Sequence, residues 1–153
     1  GADRFGKCAD HEIDIVQNAL FLGRRQSAYI NGLPLDESVF RDFSTLLWAD
    51  LPAALLPGGM TDAERATQRL STTAHWDIPL TLPKGDALHL LAWHATPPVF
   101  DGAEDRNGRR NHDEAAFWSA YLDNRLAQAP PARFVLLGDA NLDPQRGDGR
   151  ARL

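Results

Sequence analysis

Three residues in the second half of the chain have side chains suited to handling a phosphoryl group: His94, Asp139 and Asn141. A carboxylate can orient or deprotonate a water, or hold a divalent cation. A neighbouring amide can donate to a phosphoryl oxygen. An imidazole across the gap can protonate a leaving oxygen or stabilise developing charge. Asp139 and Asn141 are two residues apart, so in extended chain their side chains point the same way. Between His94 and Asp139 lies a run of cations and amides that includes Arg106, Asn107, Arg109, Arg110, Asn111 and His112. The planar fork of arginine suits phosphate. Asn111, read as the start of a helix, adds an anion-friendly terminus. Asp139 is also the candidate metal ligand of the set.

Taken singly, each of these has a plainer reading. Gly138-Asp-Ala-Asn141 is ordinary turn composition, His94 alone reads as a hydrogen-bonded loop residue, and Arg106 to Arg110 as a solvated loop. His89 sits in an apolar run and reads as a satisfied core histidine; His11 reads as a surface one. Trp48, Trp76, Trp93 and Trp118 read as core rather than as substrate platforms. The case for chemistry rests on the elements that bring the residues together.

Ala87 to Trp93 and Arg133 to Leu137 are near-continuous apolar runs, the pattern of strands buried on both faces. Between them a polar loop runs from His94 to Arg110. A helix then starts at Asn111, with Glu114 at the capping-box spacing. Phe117, Trp118, Tyr121, Leu122 and Leu126 form its broad apolar face, and it stops before Pro130-Pro131. Strand, helix, strand is a βαβ unit. Parallel strands bring their C-terminal ends to one edge of the sheet, where open α/β sheets build their sites. The spacing therefore predicts that His94, Asp139 and Asn141 share one rim.

The first half reads less clearly. Asp10 to Gly23 fits an amphipathic helix, Ser27 to Ile30 a short strand, and Asn31-Gly32 a turn. Val39, Phe40, Phe43, Leu46 and Leu47 recur at helical spacing between Asp36 and Asp50. Leu51 to Thr61 reads as a loop, Thr61-Asp-Ala-Glu64 as a short capped helix, Trp76 to Leu82 as a strand, and Lys84-Gly-Asp86 as a turn. At 153 residues the length suits one domain, large enough to bury roughly 70% of its unfolded surface. The net charge of −5 argues against a protein built mainly to grip long nucleic acid, though a local basic patch can serve a small phosphoester. A single cysteine, Cys8, excludes an internal disulfide framework and a Cys-rich zinc site. No apolar run approaches the roughly 18 residues of a membrane span, and no signal-peptide pattern opens the chain.

At these residues the sequence resembles the endonuclease/exonuclease/phosphatase superfamily, the fold of deoxyribonuclease I and exonuclease III. Ala92-Trp-His94-Ala-Thr-Pro97 is similar to the segment that carries a catalytic histidine in deoxyribonuclease I. Leu137-Gly-Asp139-Ala-Asn141-Leu-Asp143 is similar to the Gly-Asp-Phe-Asn motif, with Ala140 in place of the aromatic. A bacterial branch of the superfamily is closer still. It is similar at Phe43 to Pro52, at Ser71 to Pro79 and at His94 to Glu114, and by this resemblance His75 also approaches the site. The resemblance implies an α/β (α+β) fold, part of a deoxyribonuclease I-like four-layer sandwich with mixed sheets. It assigns 33–153 to that domain and leaves 1–32 unassigned. It also implies hydrolysis of a phosphodiester or phosphomonoester, with nucleic acid among the substrates, by in-line attack of water with Mg²⁺ or Mn²⁺, or Ca²⁺ in their place. A periplasmic or secreted location is compatible with it.

The chain departs from the family pattern in lacking a recognisable early Asn, a metal-binding Glu on a following strand, and a late Ser-Asp-His. Little or no activity is therefore expected from these residues alone, and a degenerate, non-catalytic domain is the main alternative. A calcium-binding module is another, on the opening spacing Asp139-x-Asn141-x-Asp143. Pro144 and Arg150 stand where an EF-hand needs Gly and Glu. An HD-type metal phosphohydrolase using His75, His94, His112, Asp113 and Asp139 would require Asp139 to lie in an all-helical fold, against its strand signal.

Overall fold

The computed structural model describes residues 39–143, together with the backbone of 29–30 and 33–34. The expected helix over Asp10 to Gly23, the turn at Asn31-Gly32, His11, and the calcium-loop positions Pro144 and Arg150 lie outside these residues. Strands β1 (Tyr29–Ile30) and β2 (Leu33–Pro34) pair antiparallel. The main sheet has the order β3-β4-β5-β6. It comprises β3 (Arg41–Asp42), β4 (Ala74–Thr81), β5 (Ala87–His94) and β6 (Phe134–Asp139). The first two neighbour pairs are antiparallel and β5–β6 is parallel. The architecture is a mixed sheet with helices, an α/β arrangement.

β4 and β5 form a hairpin over the expected turn, closed where Leu82 N–H donates to Asp86 O at 2.8 Å and Gly85 takes φ +89°. Pro79 lies within β4 opposite His89. His89 spends its N–H on the O of Arg133, the residue before β6, so the Pro79–His89 pair exchanges no hydrogen bonds and the missing N–H of proline costs nothing there. The short helix α1 (Asp62–Arg65) carries the capping box expected from Thr61 and Glu64.

Helix α2 (Arg106–Leu122) connects β5 to β6. Its 17 residues span about 25 Å, about the length of the strand it crosses. Its C-terminus is a Schellman closure. Asn124 takes φ +56°, Arg125 N–H bonds Ala120 O at 2.8 Å and Asn124 N–H bonds Tyr121 O at 3.0 Å. The core lies between α2 and the sheet, where Phe117, Trp118 and Tyr121 meet Leu91, Trp93, Phe43 and Trp48. On the other face Ile78, Leu80 and Ala92 form a smaller cluster with Trp76, Leu90 and Leu137.

Three expectations are corrected here. The segment from Arg41 to Asp50 is a two-residue strand followed by a short 3-10 helix over Trp48–Asp50, not one long helix. Of the apolar positions in that spacing only Phe43 is buried, while Val39 and Phe40 are exposed; Phe43 N–H bonds His75 O at 2.8 Å along an irregular path that also buries Trp48. Second, α2 begins at Arg106, behind Asp105 in the left-handed region (φ +54°). Asn111 is therefore interior to the helix and caps nothing. Third, β6 is not buried on both faces: Phe134, Val135 and Leu136 are 40–47% exposed, because no described strand lies beyond it.

Candidate functional site

The parallel pairing puts His94 and Asp139 in direct Cα register at the C-terminal ends of β5 and β6. In-register residues of a parallel pair project from the same face, and here it is the face opposite α2, since the neighbouring Trp93 packs on Trp118. Gly138 makes the close approach. A Cβ there would stand 1.9 Å from Trp93 O, and φ is +144°, so no other residue fits. Beyond β6 the chain turns back. Asn141 takes φ +48°, a left-handed conformation that asparagine tolerates better than most residues. The extended-chain argument for Asp139 and Asn141 does not hold at this turn. Turning, and not alternation, carries Asn141 to the rim.

There the Asn141 backbone N–H donates to Asp139 Oδ1 at 2.8 Å. Its side-chain amide nitrogen donates to Ala95 O at 2.8 Å and lies 3.3 Å from His94 Nε2. The Ala95 carbonyl fixes the amide orientation, because the flipped amide would set two oxygens face to face. His94 Nε2 is then the acceptor and its proton sits on Nδ1. In this arrangement the Asn141 amide occupies the Nε2 lone pair, which faces the rim only when that contact is exchanged.

Behind the rim is a buried polar bracket. Asn111, 1% exposed, donates from its amide nitrogen to Thr96 O and to Ala140 O, both at 2.8 Å. One side chain thus ties the loop after β5 to the loop after β6. Glu114, fully buried, accepts from Thr96 N–H at 2.5 Å and Thr72 N–H at 3.1 Å. Burial pushes its carboxyl above the usual range, and the hydrogen bonds from Thr96 and Thr72 partly offset this. Arg110 lies over the Trp48 ring at 4.7 Å, with Nε and Nη2 unpartnered. Burial lowers its pKa, and the nearby Glu114 charge opposes that.

The remaining expected substrate contacts each hold a bond to the protein. Arg106 donates to Gln68 Oε1 at 2.6 Å, Asn107 to Val99 O at 2.7 Å, and Arg109 to Glu104 O at 3.2 Å. His112 pairs with Asp113 at 2.9 Å. Arg110 and Asn111 are buried, which corrects their assignment to phosphate binding. His75 is corrected likewise. It is 1% exposed, packed among Trp93, Phe117 and Trp118, with Nε2 at 3.0 Å from Glu114 O. Burial pushes it down to about 4, so it is neutral and donates that bond. Glu114, Thr72 and Thr96 are the residues that sequence reasoning missed. The signal was present: Asn111 and Glu114 fall on the same helical stripe as Trp118 and Tyr121, where polar residues are buried only with partners.

For a divalent cation, Asp139 offers one exposed carboxylate. Among the described residues no three His, Cys, Asp or Glu side chains converge. One carboxylate fits a Mg²⁺ or Mn²⁺ ion that completes its shell with water and phosphate oxygens; it does not form a closed protein cage. No helix of the described residues is long and apolar enough to cross a membrane. Compared with protein-family models, curated proteins and solved structures, the chain matches none of them.

Proposed function

We propose that the rim formed by His94, Asp139 and Asn141 binds a phosphoester and contributes to its hydrolysis by in-line attack of water. The wider fold would then be part of a deoxyribonuclease I-like sandwich. The supporting observation is the meeting of an imidazole lone pair, an exposed carboxylate and an amide from two separate strand ends. Asp139 orients the attacking water. Asn141 donates to a phosphoryl oxygen, exchanging its contact with His94 for one with substrate, and His94 then faces the reacting oxygens. A bound Mg²⁺ or Mn²⁺ would supply neutralisation of the phosphoryl charge, with Asp139 among its ligands.

The test is hydrolysis of bis-p-nitrophenyl phosphate with Mg²⁺ or Mn²⁺ by the complete gene product and by Asp139→Ala. Loss of activity by a factor of about 10² or more is expected; equal rates would refute the assignment. The presence of one carboxylate favours a second reading, phosphate binding without turnover. That reading gains if inorganic phosphate protects the fold thermally, Asp139→Ala alters the protection, and no hydrolysis occurs with either metal.

A further inference from the structure

β6 poses a problem that the site does not explain. Phe134, Val135 and Leu136 are 40%, 47% and 42% exposed. Phe134 and Leu136 project from one face and Val135 from the other, so among the described residues both faces and the edge are open. Open apolar edges template further pairing, and proteins ordinarily cover or charge them. Nothing of that kind interrupts Phe134 to Leu137; the charges stand at the two ends, Arg133 and Asp139.

We infer that β6 pairs antiparallel with β6 of a second copy of this chain, in a two-fold arrangement centred on Leu136. His89 N–H donates to Arg133 O at 3.0 Å and Ala95 N–H to Asp139 O at 2.8 Å. The odd-numbered residues of β6 therefore spend their backbone groups on β5, and Phe134, Leu136 and Gly138 present theirs outward. In the Leu136-centred register the outward groups meet. Leu136 bonds Leu136, and Phe134 bonds Gly138, where the glycine leaves room for the ring.

The closer, non-hydrogen-bonded positions set Val135 against Leu137 and Arg133 of one copy against Asp139 of the other. Moving the register by two residues loses that charge match and keeps only the backbone bonds. Arg133 now holds Asp86 at 3.1 Å, with both side chains about half exposed or more, a contact easily exchanged. The pairing would deliver an arginine from each copy to the Asp139 rim of the other. The inference stands on the edge geometry and does not depend on the hydrolytic reading. A six-residue edge is a small interface, so the dimer is weak and its population follows concentration.

Sedimentation velocity on the full chain over a wide concentration range tests this, with circular dichroism to check folding. A reversible monomer–dimer equilibrium is expected. Leu136→Lys, which puts two lysines face to face at the axis, is expected to weaken it by about tenfold or more. Arg133→Asp and Asp139→Arg are each expected to weaken self-association. Mixing those two single variants restores it as a heterodimer, since both charged pairs become complementary. A wild-type chain that stays monomeric throughout overturns the proposal and leaves β6 to another segment or partner. A dimer whose variants show no recovery on mixing overturns the register.

Discussion

Two histidine–acid arrangements sit on opposite faces of the same sheet, and they have opposite characters. On the α2 face Asp77 is fully buried and entirely spent. Oδ1 takes His89 Nδ1 at 2.5 Å, and Oδ2 takes the Tyr121 hydroxyl at 2.6 Å with Arg41 at 3.4 Å. Arg41 also donates to the Tyr121 hydroxyl at 2.5 Å and Ala129 O at 2.7 Å. Burial, with the Asp77 carboxylate beside it, keeps Tyr121 protonated by raising its pKa. This cluster ties β3, β4, β5 and α2 together and leaves no acceptor over for a ligand. At the rim, by contrast, Asp139 is exposed and Asn141 is held by contacts it can exchange. Similar side chains become a clamp or a candidate site according to how many of their hydrogen bonds the protein itself consumes.

The sharpest way to break that contrast is to remove each acid. Asp139→Asn is expected to abolish catalysis by about 10²–10⁴-fold while shifting the melting temperature little, because the residue is exposed. Asp77→Asn is expected to do the reverse. Losing a buried carboxylate that accepts from His89, Tyr121 and the partly exposed Arg41 should cost about 2–3 kcal/mol of stability, read by urea denaturation, with kinetics of the folded fraction unchanged. If Asp77→Asn proves harmless and Asp139→Asn unfolds the chain, the assignments are inverted.

His75 sharpens the contrast through pH. Its value of about 4 in the fold lies below the ordinary 6.5. The unfolded chain therefore takes up a proton that the folded chain refuses, so stability is full above 6.5 and falls as pH drops towards 4. The gap corresponds to about 3 kcal/mol. Glu114, whose value is raised, acts with the opposite sign above its ordinary range. Thermal melts across this window should therefore be compared between wild type and His75→Phe, which keeps the aromatic stack and should flatten the acid limb. An unchanged limb would remove His75 from the account.

The smallest expected effect is at the bracket. Asn111→Leu leaves the Thr96 and Ala140 carbonyls without their donor and should cost about 1–3 kcal/mol. If the bracket positions the rim, turnover at a temperature where the variant is fully folded falls further than KM rises. A change in stability alone would make Asn111 purely structural.

Much of the pairing was legible beforehand. Two apolar runs separated by a helix-length segment give adjacent parallel strands, and the register of His94 with Asp139 follows from where those runs stop. The start of α2 was not legible. Arg106 to Asn111 has loop composition and a glycine, and its burial against Trp48, Thr96 and Ala140 depends on segments distant in sequence. The exposure of β6 was hidden for the same reason: an apolar run does not say whether a neighbouring strand exists. His75 carried a resemblance that pointed to the rim, yet the alternation of β4 turned it into the aromatic core.

By itself, then, the sequence determined what is local and periodic: the two strands, the stripe of Phe117, Trp118 and Tyr121, the Thr61 capping box, and the glycine before Asp139. Only the tertiary structure decided which polar side chains are consumed. Whether a carboxylate ends as clamp or as free acceptor depends on donors brought from other strands, and no spacing along one segment encodes that count.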